Sequence, residues 1–243
     1  MKSPSTQPGA LLTVEDLSAG YGGMPVLRKV SIDVHRGEIV ALVGSNGAGK
    51  TTLLRALSRV IPCEGAIHFG GRDILPMTSD QAFKIGLVQV PEGRQLFDRM
   101  TVADNLLMGA YLRSDRRETM QDLDRMYSLF PRLGERRNQL AGSMSGGEQQ
   151  MCAMARALMA RPALLMIDEM SLGLAPVIVE QLTQVLGSIR QDGVTVLLVE
   201  QDVQTALSVA DRGYVMETGS IVHSGAAEVL INDAAVRQAY LGI

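Results

Sequence analysis

The sequence has little cysteine, no long apolar run and no excess of one charge, and each lack excludes a class of protein. Its two cysteines, Cys63 and Cys152, match no metal-binding spacing, so we expect reduced thiols of a cytosolic protein. No apolar run approaches the ~18 residues needed to cross a bilayer, and Met1 to Ala10 lacks the apolar segment of a secretory signal. Lys and Arg total 23 against 26 Asp and Glu, which disfavours general electrostatic binding to nucleic acid or an anionic membrane surface.

The rest of the composition is that of an ordinary globular protein. Hydrophobic residues make up 46% of the chain and charged residues 20%, a mixture that favours folding over disorder. A length of 243 residues predicts one large domain, spanning 1–243, with room for a subdomain and a substantial hydrophobic core.

Short apolar strands alternate with helices along the chain. We predict strands at 12–14, 30–34, 38–43, 65–69, 85–90, 163–168, 194–199, 214–217 and 221–223. We predict helices at 49–60, 145–160, 177–190 and 203–209, and a polar helical segment over 101–140. This alternation predicts an α/β fold in which helices pack on a mainly parallel sheet.

One segment is rich in arginine and allows two interpretations. It contains Arg113, Arg116, Arg117, Arg125, Arg132, Arg136 and Arg137. A nucleic-acid groove is one interpretation. Interleaved Asp and Glu residues favour the other, in which these side chains lie on solvated helix faces.

A glycine-rich motif follows the strand at 38–43. It is Gly44-Ser45-Asn46-Gly47-Ala48-Gly49-Lys50-Thr51, which fits the phosphate-loop pattern G-x-x-x-x-G-K-[ST], and Thr52 follows it. The glycines let successive backbone N–H groups converge on phosphate oxygens, and the next helix adds the positive end of its dipole. We expect Lys50 to reach the β- and γ-phosphates and the Thr51 hydroxyl to coordinate Mg²⁺.

Two carboxylates end the apolar strand at 163–168. Five apolar residues, Ala163 to Ile167, run directly into Asp168 and Glu169. The C-terminal edge of a buried strand is where open α/β sheets bind ligands. Asp168 can belong to the Mg²⁺ shell, whereas Glu169 points elsewhere and can accept a proton from an attacking water.

A third motif lies between these two. The segment Met144-Ser145-Gly146-Gly147-Glu148-Gln149-Gln150 resembles the Leu-Ser-Gly-Gly-Gln signature of ABC-type ATPases. In that family two subunits pair head to tail, and each ATP is held between the phosphate loop of one and the signature of the other. The resemblance implies a phosphate-loop ATPase fold with an N-terminal antiparallel β part and a helical subdomain near 100–160. It implies that Gly44 to Thr52 bind ATP, that Ser145 to Glu148 bind the ATP of a partner subunit, and that Tyr21 stacks on adenine.

Further segments resemble the Liv subgroup, the ATPase subunits of branched-chain amino-acid importers. They are Val90-Pro91-Glu92-Gly93-Arg94, Ser171-Leu172-Gly173-Leu174-Ala175-Pro176, Val199-Glu200-Gln201 and Tyr240-Leu241-Gly242. In this register Glu92 occupies the Q-loop glutamine position and is expected near Mg²⁺, while Gln89 packs within its strand. Gln201 occupies the position of the switch histidine, and Ala175 replaces the D-loop aspartate. Met144 and Met170 also differ from the general family pattern.

The resemblance implies the subunit of an importer that binds and hydrolyses ATP with Mg²⁺. Its partners would be a second copy or a paralogous ATPase subunit, a membrane permease and, indirectly, a solute-binding protein, on the inner face of the cell membrane. The loop from Glu92 to Phe97, with Leu96 and Phe97 exposed, is expected to face the permease; packing beneath the loop is the alternative. A soluble repair or ribosomal ATPase and a small-molecule kinase are competing functions, but the chain between Lys50 and Ser145 is too short for the coiled coil of repair types, and a kinase would not explain the signature.

Overall fold

A computed structural model describes residues 9–241 of the chain. Most of the N-terminal stretch from Met1 and the Gly242 of the C-terminal motif lie outside the described residues. Within residues 9–241, every helix is too short or too polar to span a lipid bilayer.

The first sheet is antiparallel and N-terminal. Its strands are β1 (Ala10–Tyr21), β2 (Met24–His35), β4 (Cys63–Phe69) and β5 (Arg72–Asp73). They lie in the order β2-β1-β4-β5. The two longest strands extend well beyond the predicted 12–14 and 30–34, because their exposed polar positions alternate with buried apolar ones.

The second sheet carries the ligand-binding edge. Its strands are β3 (Ile39–Val43), β6 (Leu87–Val90), β7 (Leu164–Asp168), β8 (Thr195–Glu200), β9 (Arg212–Glu217) and β10 (Ser220–Ala226). Their order is β10-β9-β3-β8-β7-β6, and every pair is parallel except the β9–β10 hairpin. This arrangement confirms the predicted α/β class with a mainly parallel sheet.

Helices occupy the connections. They are α1 (Lys50–Leu57), α2 (Ser79–Lys84), α3 (Val102–Gly109), α4 (Arg116–Leu129), α5 (Pro131–Glu135), α6 (Gly146–Leu158), α7 (Pro176–Gln191), α8 (Val203–Val209), α9 (Ala227–Asn232) and α10 (Ala234–Val236). The helical segment at 101–140 is thus three helices. Pro131 begins α5, since proline fits the first helical turn and not an interior. The helical part α3 to α6 coincides with the predicted subdomain range, whose status as a separate unit stays a prediction.

The core lies on both faces of the second sheet. Ile39, Ala41 and Val43 of β3 pack with the helices in one apolar cluster, whereas Val40 and Leu42 pack with the first sheet in another. Alternate side chains of a strand point to opposite faces, so a strand covered on both sides is apolar throughout. This burial fixes the carboxyl ends of β3, β7 and β8 at one edge.

Several arginines of the arginine-rich segment make ion pairs with nearby carboxylates, and the choice between its two interpretations stays a prediction. Arg113 pairs with Asp115 and Asp122, Arg132 with Glu135 and Arg136 with Glu148. Both cysteines are free thiols; Cys152 is buried and Cys63 is half-buried.

Candidate nucleotide site

The segment Gly44 to Gly49 connects β3 to α1 as a tight backbone loop. Gly47 and Gly49 have φ angles of 80° and 110°, which glycine adopts without the steric cost of a Cβ. The Ala48 N–H donates to the Ser45 carbonyl at 3.1 Å, and α1 begins at Lys50. The conformation therefore aims backbone N–H groups and a helix N-terminus at one space, which suits phosphate.

The loop is supported from behind by the β9–β10 turn. Gly219 donates its N–H to the Ala48 carbonyl at 2.8 Å, and its own carbonyl accepts from the Arg28 N–H at 2.8 Å. A side chain at Gly44 would overlap the Met216 carbonyl oxygen. The β9–β10 hairpin, itself bonded to β2, thus holds the loop in place, and the sequence contained no local signal for this support.

Lys50 lies beneath the loop with only 4% of its surface exposed. Its ammonium donates to the Gly44 carbonyl at 2.8 Å and the Ser45 carbonyl at 3.3 Å, and its Nζ lies 3.6 Å from Glu169 Oε1. The lysine is therefore held at the mouth of the loop between backbone acceptors and a carboxylate. Thr52, the third residue of α1, is buried as well.

Asp168 ends β7 as a buried carboxylate that protein donors satisfy only in part. Thr51 Oγ1 lies 3.3 Å from Asp168 Oδ1, whereas Asp168 Oδ2 is buried without a hydrogen-bond partner. Burial raises the pKa of Asp168 to about 6, and the negative charges of Glu169 and Glu92 oppose its ionisation further. A hydroxyl and an orphaned carboxylate oxygen side by side fit a hard divalent cation.

Glu169 adopts an unusual backbone conformation that separates its side chain from that of Asp168. Its φ is 50°, and its N–H donates to the Val199 carbonyl of β8 at 2.8 Å. The two adjacent carboxylates therefore face different surroundings: Asp168 faces Thr51, and Glu169 faces Lys50.

Three other expected site residues are exposed at or just beyond the ends of strands. Tyr21 ends β1 with 41% of its surface exposed, and its hydroxyl accepts from Arg55 Nη1 at 3.2 Å. Gln201 is exposed directly after β8, and Glu92 is exposed after β6. Gln89 packs as expected, since its Oε1 accepts from the hydroxyl of Ser58, which caps the C-terminus of α1, at 2.6 Å.

The segment Ser145 to Glu148 forms the beginning of α6. Ser145 caps the helix, and its N–H and hydroxyl donate to Glu148 Oε2 at 3.0 and 2.8 Å. Glu148 also pairs with Arg136 at 2.7 Å. These residues contact neither Lys50 nor Asp168 by hydrogen bond or ion pair within the part of the chain that the structure describes. Ser145 to Glu148 thus begin a helix that is not bonded to the phosphate loop of the same chain.

Glu200 is a buried carboxylate that the sequence interpretation missed. Its Oε1 accepts from the Ser171 N–H and its Oε2 from the Ser171 hydroxyl, both at 2.9 Å, and burial raises its pKa. The pair joins the segments that follow β7 and β8. The available signal was the same as for Asp168, an apolar strand running into an acid.

Two family departures have structural explanations. Met170 is fully buried in the helix-side core, and Met144 is almost fully buried there, so both act as packing residues. Ala175 is exposed and precedes α7 without a side-chain cap. Leu96 was expected to be exposed, which is wrong: it is half-buried against the helix-side core, because the loop turns it inward while Phe97 stays 46% exposed.

Comparisons with known proteins agree on one family. The family model described as ABC transporter matches residues 27–171. The high-affinity branched-chain amino acid transport ATP-binding protein BraG of Pseudomonas aeruginosa is 45% identical over 96% of this chain and 100% of its own length. The probable branched-chain amino acid transport ATP-binding protein LivF of Archaeoglobus fulgidus is 33% identical, over 96% and 99%. The crystal structure of the ADP conformation of an ABC-transporter ATP-binding cassette has a TM-score of 0.83 at 26% identity, over 96% of this chain and 99% of that one.

Proposed function

This chain belongs to the ABC transporter family, as one of its ATP-hydrolysing subunits, and from this premise we propose that it drives uptake of branched-chain amino acids, or a related small polar solute, through a membrane permease. The observation that carries the solute class is the 45% identity to BraG over nearly the whole chain. The chain's own site supports the ATPase part, since Lys50, Thr51, Asp168 and Glu169 converge at the phosphate loop.

The residues of the loop have distinct roles toward ATP. The backbone N–H groups from Ser45 to Thr52 surround the phosphates, and Lys50 moves its ammonium from the Gly44 carbonyl to the β- and γ-phosphates. Tyr21 offers its exposed ring to adenine at the end of β1. Phosphate replaces the carbonyls as the better acceptor because it carries charge.

The donor set at Asp168 fits Mg²⁺. Among residues 9–241 no group of three or more His, Cys, Asp or Glu side chains could hold a metal alone, so phosphate oxygens and waters would complete the shell. Thr51 and Asp168 would hold the ion, with Glu92 close enough to add negative charge. Held there by Thr51 and Asp168, the ion would supply positive charge to offset the negative charge that develops on phosphate during hydrolysis.

Glu169 and Gln201 serve the hydrolytic step. Glu169 is the general base that takes a proton from the attacking water. Gln201 follows β8, beside the segment that Glu200 ties to Ser171, and its amide donates a hydrogen bond to the γ-phosphate. A glutamine donates without changing charge, so proton transfer remains with Glu169.

The complete site needs a second ATPase subunit, either another copy or a paralogue, whose Ser145 to Glu148 segment closes over the nucleotide. The wider assembly contains the permease and a solute-binding protein, and this chain lies at the inner face of the cell membrane within it. Nucleic acid has no role in this function. Within residues 9–241 the Ser145 to Glu148 segment makes no hydrogen bond or ion pair with Lys50 or Asp168 of the same chain, which supports this pairing.

Uptake measurements test the proposal. Host cells that lack this chain should lose uptake of radiolabelled leucine, and the wild-type chain should restore it whereas Lys50→Ala should not. If those cells lose urea uptake and keep leucine uptake, the transported solute is urea or a related small polar solute and not a branched-chain amino acid. Unchanged uptake of both solutes would contradict the proposal.

A further inference from the structure

The loop after β6 has an unfavourable backbone at two consecutive residues. Arg94 and Gln95 have φ angles of 65° and 44°, the left-handed region that non-glycine residues rarely adopt. Such a conformation persists only where surrounding contacts determine it. Here the determining contacts come from α6, the helix that begins at the signature.

Arg156, near the end of α6, binds both of these residues. Its Nη1 donates to the Gln95 carbonyl at 2.8 Å and its Nη2 to the Arg94 carbonyl at 3.1 Å. Its guanidinium lies over the Phe97 ring, 5.7 Å from the centroid. The planar fork of arginine matches two adjacent acceptors, which the single ammonium of lysine cannot do in the same geometry.

Arg94 returns from the loop to the other end of the same helix. Its Nη1 donates to Gln149 Oε1 at 3.1 Å, and its guanidinium lies so close to Gly146 that a Cβ there would be 3.1 Å from Nη2. The loop therefore contacts the first and the last turns of α6. Asn105 of α3 fixes the far end of the loop, since its amide exchanges hydrogen bonds with the Phe97 N–H and carbonyl at 2.9 and 3.1 Å.

We propose that Arg94, Gln149 and Arg156 form a clamp that makes the loop Pro91–Phe97 and the signature helix α6 move as one body. A displacement of Phe97 at the surface then reaches Ser145 at the start of α6. Arg156 is a positioning residue, because it contacts neither the phosphate loop nor the signature. The inference rests on the proposed function only in assigning Phe97 to a permease and Ser145 to the partner's ATP; the clamp itself consists of contacts within one chain.

Two variants and a matched control isolate the clamp. Arg156→Lys removes the forked contact. Arg94→Asn removes the guanidinium and keeps a residue that tolerates a left-handed backbone. Arg161→Lys is the control, because Arg161 follows α6 closely and its ion-pair partners within residues 9–241 are Asp115, Glu118 and Asp122, none of them in the loop or the signature.

Amide hydrogen exchange on the full chain measures whether the two segments open together. We expect both clamp variants to increase exchange in residues 92–97 and, to a similar extent, in the first turn of α6, with thermal unfolding close to that of Arg161→Lys. Faster exchange in the loop alone would overturn the proposal, since the loop would then move independently of the signature helix. Unchanged exchange in both segments would overturn it as well.

ATP-dependent pairing supplies the functional measurement. In a Glu169→Gln background, light scattering with Mg-ATP should show pairing of Arg156→Lys weakened by about tenfold, the scale of one lost hydrogen bond. Affinity of the single chain for a fluorescent ATP analogue should stay within about twofold, because Arg156 contacts no phosphate-binding group. Pairing equal to that of the control would overturn the proposal. If no variant pairs, the proposed head-to-tail pairing of subunits is wrong. The exchange experiment still shows whether the loop and α6 move together.

Discussion

At the scale of single residues, the two adjacent carboxylates of the site, Asp168 and Glu169, lie in different surroundings. Asp168 is buried beside Thr51 with one oxygen free, whereas Glu169 turns through a left-handed backbone toward Lys50. Pairs of titratable groups in contrasting environments are how one site performs two kinds of chemistry. We therefore expect substitutions of these two residues to fail in different ways.

Glu169→Gln should bind Mg-ATP and lose hydrolysis by about 10²–10⁴-fold, the usual loss on removing a general base. It should also accumulate an ATP-bound pair of subunits, because closure precedes hydrolysis. Phosphate release and light scattering on the purified chain measure both. Lys50→Ala is the contrast and should fail earlier, at nucleotide binding; turnover of Glu169→Gln near the wild-type rate would remove Glu169 from this role.

Asp168→Asn should stabilise the nucleotide-free chain while removing its response to Mg²⁺. Burial raises the pKa of Asp168 to about 6, so at neutral pH the carboxyl is still mostly ionised, but its charge costs more free energy in the folded chain than in the unfolded one. An amide at this position avoids roughly 1–3 kcal/mol of that cost. Thermal unfolding in EDTA should therefore occur a few degrees higher, about 2–4 °C per kcal/mol at this chain size. Mg-ATP should then raise the unfolding temperature of Asp168→Asn no more than ATP with EDTA does. If Mg²⁺ stabilises Asp168→Asn as much as it stabilises the wild-type chain, Asp168 does not hold the ion.

Gln201→Ala should reduce hydrolysis much more than ATP affinity, because a single positioned donor contributes mainly in the transition state. Gln201→His should keep activity and add a pH dependence near 6.5, where an imidazole titrates and an amide does not. The measurement is kcat against pH for wild type and both variants. A Gln201→Ala profile equal to wild type throughout would show that Gln201 does not act on the γ-phosphate; the cap of α8 is already supplied by Asp202.

At the scale of elements, the phosphate loop depends on a hairpin far away in sequence. The β9–β10 turn approaches the loop through Gly219, which also contacts β2. Gly219 has a φ of 80°, and a Cβ there would overlap the Val26 carbonyl. The turn can therefore reach Ala48 only with glycine at this position.

Gly219→Ala should lower affinity for both ATP and ADP by about tenfold, because losing the hydrogen bond to Ala48 frees the loop backbone. Gly71→Ala is the matched control. Gly71 has a φ of 77°, but a Cβ there meets nothing within 4 Å, so the substitution adds similar backbone strain without displacing a neighbouring segment. Binding of a fluorescent nucleotide and thermal unfolding separate the two effects. Equal nucleotide affinity in the two variants would show that the turn stabilises the fold without positioning the loop.

At the scale of the whole molecule, the second sheet separates two faces and leaves a surface for partners. The first sheet and α1 cover one face, and α3 to α8 pack on the other. Phe97 lies at the helical side with its ring half in solvent, held from beneath by Arg156. An apolar ring presented by a braced loop is suited to a groove in another protein.

Phe97→Asp should weaken association with the permease and leave ATP binding by the isolated chain intact. A carboxylate cannot leave water for an apolar groove without an unfavourable desolvation cost. Val229→Asp on α9 is the control, since Val229 is 65% exposed and lies on a different element. Co-isolation from detergent-solubilised membranes measures association, and crosslinks from position 97 that capture only other copies of this chain would count against the prediction.

Features whose chemistry lies in contiguous residues are predictable from the sequence. The phosphate loop, the acids after β7, the Ser145–Glu148 cap and the alternation of strands and helices all depend on short spacings or on apolar periodicity, which are visible in one dimension. Contacts between distant residues depend on the tertiary fold: Glu200 meets Ser171, Gly219 meets Ala48, and Arg156 meets the carbonyls of Arg94 and Gln95. The tertiary fold also decides that Leu96 turns inward while Phe97 remains exposed. The direction of a side chain in a loop follows from the φ angles and the packing partners. Sequence spacing specifies neither of these here, because the unfavourable backbone at Arg94 and Gln95 is held by contacts from another helix.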